Sequence, residues 1–107
     1  MSSPEHARAW TFLTNHAQVL LRIAQDPDVR LRDVAQHVGI TERATQRIVA
    51  ELVEAGYVKS NRVGRRNRYA IDREQAMRHR AQLGYEIGAL LDALALGELL
   101  PDDLAHR

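Results

Sequence analysis

The chain contains no cysteine. That absence removes disulfides, thiolate metal sites and cysteine nucleophiles together. Nor does any apolar run approach the roughly 20 residues that a membrane-spanning helix needs. The opening residues, MSSPEHARAW, lack the basic start and apolar run of a signal peptide, so the expected location is cytoplasmic. The five histidines are scattered, with no His–carboxylate cluster of ligand spacing, so neither a metal nor another cofactor is expected. No nucleophile–base pair, phosphate loop or paired carboxylates stand out, and the chain is not expected to be an enzyme.

What is present is balanced overall and uneven locally. At 107 residues, 45% hydrophobic and 27% charged, the chain has the size and composition of one globular domain. The net charge of +1 conceals a polarity. Thr41 to Arg80 carries ten basic and five acidic residues, whereas Ala81 to Arg107 carries five acidic residues and one basic. The stretch NRVGRRNRY, Asn61 to Tyr69, sets four arginines around one glycine without a single acid. Such a distribution points one end of the molecule at a polyanion.

The first helix is signalled by SSPEH: Ser3 caps, Pro4 fits the first helical position, and Glu5 complements the helix dipole. At 100° per residue, Trp10, Leu13, Ala17, Leu21 and Ala24 form one stripe. Phe12, His16, Val19 and Ile23 form a second, with Leu20 between them. So wide an apolar arc predicts one side on the core and the other, the Phe12 stripe, on a partner subunit's helix. His16 is expected to pack in that arc rather than to sense. His79, beside Arg78 and Arg80, is badly placed to hold a cation.

Pro27 ends the first helix, and VRL is expected to form a short strand. RDVAQHVGIT predicts a short helix with Val34, Ala35 and Val38 inward, ended by Gly39. Thr41 caps the next helix, ERATQRIVAELVEAG, whose inward stripe is Ala44, Thr45, Ile48, Leu52 and Ala55. After Gly56 the period becomes two. YVKSNRV and RNRYAID fit two strands joined by a tight turn with Gly64 first, pairing Val58 with Ile71 and Ser60 with Tyr69. Asp72 and Gln75 make a capping-box pattern for a final helix. In it Leu83, Ile87, Leu90 and Leu94 form a coiled-coil-like seam, Gly84 and Gly88 permit close packing, and Gly97 and Pro101 mark the end.

Helix, tight turn, helix and basic hairpin, in that order, form a winged helix–turn–helix. The expected architecture is mainly α with a small β-hairpin wing: helix–turn–helix about 32–55, wing about 57–71, and a C-terminal dimerisation helix about 73–97. Ala35 lets the two helices cross closely, Gly39 turns the chain, Ile40 plugs the turn and Ile48 packs the second helix back on the first. Thr45 stands where a β-branched apolar residue is usual, which predicts a slightly weaker core in the same fold.

The segment LRDVAQHVGITERATQRIVAELVEAGYVKSNRVGRRNRYAI resembles the DNA-binding core of MarR-like and ArsR-like winged-helix transcriptional regulators, closely over about 40 of the 107 residues. The resemblance implies a homodimer joined through its terminal helices, a second motif helix in the major groove of duplex DNA, and a wing on the adjacent backbone or minor groove. It names no effector, since these families sense very different signals.

The residues agree with it. Arg43, Gln46, Arg47 and Ala50 lie opposite the core stripe, with Thr41 and Glu42 at the leading end. Arginine can bond guanine in bidentate fashion and glutamine adenine. Glu42 can accept from cytosine or satisfy the helix dipole, and the second is preferred. Lys59, Arg62, Arg65, Arg66 and Arg68 form the expected phosphate footprint, with Arg65 at the tip aimed at a minor groove. The expected dimer interface joins Phe12, His16, Val19 and Ile23 to Leu83, Ile87, Leu90 and Leu94. The alternative is a winged-helix module that docks on protein through the same surface.

Overall fold

The computed structural model describes residues 10–95. The expected N-terminal signal at Ser3, Pro4 and Glu5, and the terminators Gly97 and Pro101, lie outside the described residues. Helix α1 spans Asn15–Gln25, α2 Leu31–Val38 and α3 Glu42–Glu54. Strands β1 (Val58–Val63) and β2 (Arg66–Ile71) follow, and helix α4 spans Ile87–Ala95.

Local chemistry sets these boundaries. The Thr14 hydroxyl accepts from the Ala17 amide at 3.1 Å, and the Thr41 hydroxyl accepts from the Ala44 amide at 3.0 Å. Each thus occupies one of the donors that a helix N-terminus leaves free. Gly39 adopts φ 88° as the residue that turns α2 toward α3, a conformation glycine takes without steric cost. Gly64 at φ 65° opens the Gly64–Arg65 turn, and the strands pair antiparallel in the expected register, Val58 with Ile71 and Ser60 with Tyr69.

Three expectations are corrected. The first helix does not run through the aromatic residues: Trp10, Phe12 and Leu13 precede α1, because the Thr14 cap starts the helix after them. VRL forms no strand; Val29 is a buried loop residue and Leu31 already opens α2. The final helix begins at Ile87 rather than near position 73. Asp72 uses its carboxylate to accept from the Glu74 amide at 3.1 Å, a tight local turn that competes with a helix start at the same residue.

The segment between β2 and α4 instead folds back on itself. The Met77 amide donates to the Tyr85 carbonyl, the Ile87 amide to Gln75 and the Gly88 amide to Arg73, at 3.0, 2.8 and 2.8 Å. Only a short 3-10 turn, Arg80–Gln82, interrupts it. Gly88 is needed here, since a Cβ built on it would stand 2.8 Å from the Arg73 carbonyl oxygen. Its close partner is backbone rather than another helix, and at Gly84 nothing approaches within 4 Å.

The core lies around α1. Val19, Leu20 and Ile23 meet Val34 of α2, Ile48, Val49 and Leu52 of α3, Tyr57, Val58 and Tyr69 of the hairpin, and Ile87 and Leu91 of α4. Thr45 is fully buried, and its hydroxyl donates to the Thr41 carbonyl at 3.0 Å. That bond offsets the cost of taking the hydroxyl out of water, which explains how threonine serves at an apolar position. This packing leaves the opposite side of α3 facing solvent.

Candidate nucleic-acid interface

Helix α3 is built with two unlike sides. Thr45, Ile48, Val49 and Leu52 anchor it in the core, while Glu42, Arg43, Gln46, Arg47 and Ala50 are exposed. Arg43 and Arg47 stand one turn apart with Gln46 beside them, so three side chains able to pair with base edges share one outward surface. The Thr41 hydroxyl oxygen is taken by its capping bond, and Glu42 occupies the first turn, where the dipole favours an acid.

The hairpin presents the second basic surface. Lys59, Arg62, Arg65, Arg66 and Arg68 are all exposed, and buried Tyr69, partly buried Ile71 and buried Val58 fix the hairpin to the core. They do not all project freely. Arg66 donates to the Asp28 carbonyl, and Arg68 Nε lies 3.7 Å from the Asp28 carboxylate. The Tyr69 amide also donates to the Pro27 carbonyl at 3.0 Å, so β2 borders the α1–α2 loop. Arg62 and the tip residue Arg65 have no such partner among the described residues.

A cleft of about 330 Å³ lies between the hairpin and the start of α2, lined by Arg30, Arg65, Arg66 and Asn67 together with Val29, Leu31 and Tyr69. No acidic residue lines it. Arg30, which falls in the expected VRL strand and is given no role by the sequence, comes beside Arg65 and Arg66 only in the folded chain. Its position one residue before α2 is no specific signal for such a placement.

A larger groove of about 910 Å³ runs beside α1, with Ala17, Leu20, Leu52, Met77, Ile87 and Leu90 among its apolar lining. Polar groups at its margin include His16, Glu51, Arg78 and His79. His16 Nε2 donates to Glu51 Oε1 at 2.6 Å, which joins α1 to α3. The histidine hydrogen bond, with smaller help from the Arg47, His16 and Arg78 charges, holds the Glu51 carboxyl below its ordinary range.

The expected dimer stripes are corrected here as well. Val19 and Ile23 are 0% and 1% exposed and Ile87 is 8% exposed, all inside the subunit's own core. Helical periodicity shows that α1 has two apolar stripes but not which one faces inward, and the stripe expected to be spare is the core stripe. Of the remaining residues, Phe12 is 91% and Leu83 56% exposed, Leu94 is at the surface, and His16 and Leu90 border the groove. Trp10 and Tyr85 join them as exposed aromatics that the sequence reading did not assign to an interface.

Among the described residues no three His, Asp or Glu side chains gather as a metal site, and no helix is long and apolar enough to cross a membrane. The sequence model described as the MarR family matches residues 11–67, from just before α1 into β2. The PcaV transcriptional regulator from Streptomyces coelicolor, solved in complex with its natural ligand, is 25% identical. Its TM-score is 0.52, over 87% of this chain and 67% of that one. T. potens IscR is 16% identical with a TM-score of 0.59, covering 92% of this chain and 98% of that one, a likeness of fold. No curated protein matches the chain.

Proposed function

Since the chain belongs to the MarR family, we propose that it is a cytoplasmic, non-enzymatic transcriptional regulator that binds a palindromic duplex site as a homodimer. Helix α3 lies in the major groove, where Arg43, Gln46 and Arg47 read base edges, and the wing grips the flanking backbone with Lys59, Arg62, Arg65, Arg66 and Arg68. The observation that carries this reading is the division of α3: one side locked in the core by Ile48 and Leu52, the other offering two arginines and a glutamine to solvent.

One winged helix meets only a few base pairs, and a twofold dimer doubles the site while holding the two α3 helices roughly 34 Å apart. Among the apolar residues left outside the core, Phe12, Leu83 and Leu94 with Trp10 and Tyr85 supply the surface for that contact. PcaV is known with its natural ligand bound, and the groove beside α1 is where this chain would take a small-molecule effector. Binding to a random duplex at low and then raised salt tests the reading. Salt-sensitive binding supports it, and negligible affinity throughout would favour a module that docks on protein.

A further inference from the structure

The bond between His16 and Glu51 has a neighbour that gives it meaning. Glu51 lies four residues after Arg47 on α3, and Arg47 Nη1 stands 3.8 Å from Glu51 Oε2. The two oxygens of one carboxylate thus face different elements: Oε1 takes His16 of α1 at 2.6 Å, and Oε2 faces the Arg47 guanidinium. A glutamate held only by its own helix would rotate among several rotamers. Fixed by α1, it presents Oε2 in one place. Glu54, Tyr57, His79 and Arg78 also line the groove, and of these the Arg78 charge adds a weaker attraction to Glu51.

We infer that His16 and Glu51 are positioning residues for base readout, which hold the Arg47 guanidinium in register on the outward face of α3 and tie it to the groove beside α1. The inference rests on the reading of α3 as the base-reading helix. Glu51 continues the exposed Arg43–Arg47 line of α3 by one turn, whereas His16 is not on α3 at all. His16 sits on another helix, so an effect of His16 on base preference has no simple explanation other than transmission through Glu51. The same link makes the groove's margin part of the readout, because whatever engages His16 there alters what holds Glu51.

The test measures the full chain on a panel of duplexes that differ from its preferred site at one position each, and on a random duplex. Arg47→Ala should flatten preference at one position in each half-site. Glu51→Gln should lower preference at that same position about two- to fivefold, the worth of an exposed ion pair, and leave other positions intact. It should also raise affinity for the random duplex, since a negative charge near the DNA is lost. His16→Ala should act in the same direction, and the double variant should lose no more than Glu51→Gln alone. His16 and Glu51 are both about half exposed, so both variants should keep the parental melting temperature.

If Arg47→Ala flattens the position while Glu51→Gln retains full preference, the positioning role is overturned and the regulator reading stands. A uniform loss across all duplexes in Glu51→Gln would mark a merely structural residue and overturn it equally. If Arg47→Ala itself changes nothing, Arg47 is no base reader and the positioning role is overturned, while the regulator reading fails only if the parent binds its preferred site no better than the random duplex.

Discussion

Arg68 and Asp28 face each other across the edge of the wing, with Arg68 Nε 3.7 Å from the Asp28 carboxylate. The pair joins the hairpin to the loop before α2, and the Arg66 bond to the Asp28 carbonyl reinforces it. An arginine so held has to exchange one anion for another when it meets a phosphate. Asp28→Asn should therefore tighten binding to every duplex about equally, with the gain fading as salt rises. Binding isotherms at several salt concentrations check this; a change confined to particular sequences would contradict it.

The tip arginine is expected to behave differently. Arg65→Ala should weaken all duplexes alike and lower the slope of log affinity against log salt by about one unit. Arg68→Ala should lower it less, because the parental Arg68 gives up Asp28 as it takes a phosphate and so releases fewer ions on balance. Equal slopes for Arg65→Ala and the parent would remove Arg65 from the phosphate contacts.

Base readout should be separable from backbone affinity. Gln46→Ala is expected to relax preference at one base position per half-site and to cost roughly 1–3 kcal/mol on the preferred sequence. Selection from a random duplex pool with both proteins measures it, and an unchanged consensus would show that Gln46 reads no base.

How far the sequence foretold these features depends on whether one local signal had one meaning. The hairpin was legible to the register because alternation from Val58 to Ile71 and a single turn glycine, Gly64, allow few pairings. The ends of α3 were legible because Thr41 caps it and Gly56, at φ 89°, follows it. Asp72 carried two meanings, since the same carboxylate can cap a helix or close a tight turn, and tertiary contacts chose the turn. The apolar stripes of α1 were equally ambiguous, and what decided between them was long-range packing on Ile48 and Leu91. The tether of Arg66 and Arg68 to Asp28 spans about 40 residues of chain, beyond any local pattern.

The fold-back before α4 makes a stability prediction. Gly88→Ala gains helix propensity but drives a Cβ into the Arg73 carbonyl oxygen at 2.8 Å. The overlap is with backbone, which cannot rotate away, so a net loss of about 1–3 kcal/mol is expected. Urea denaturation measures it, and a variant as stable as the parent would mean that the loop shifts without cost.

Assembly can be tested without disturbing the core. Ile87→Glu would place a charge among buried residues and unfold the subunit. Leu83→Glu and Phe12→Glu change exposed positions and should leave the fold intact. Sedimentation at micromolar concentration is expected to give a dimer mass for the parent and a shift toward monomer for the variants. A parent that sediments cleanly as a monomer would refute the dimer.

If the exposed side of α3 and the basic wing together bind duplex DNA with sequence preference, affinity must depend on both salt and sequence. The most direct measurement is the affinity of the chain for a selected duplex and for a random one, each across a range of salt. Log affinity is expected to fall linearly with log salt for both duplexes, and the selected duplex to bind at least about a thousandfold more tightly at physiological salt. Negligible affinity for either duplex even at low salt, or equal affinity for both, would contradict DNA recognition by these two surfaces.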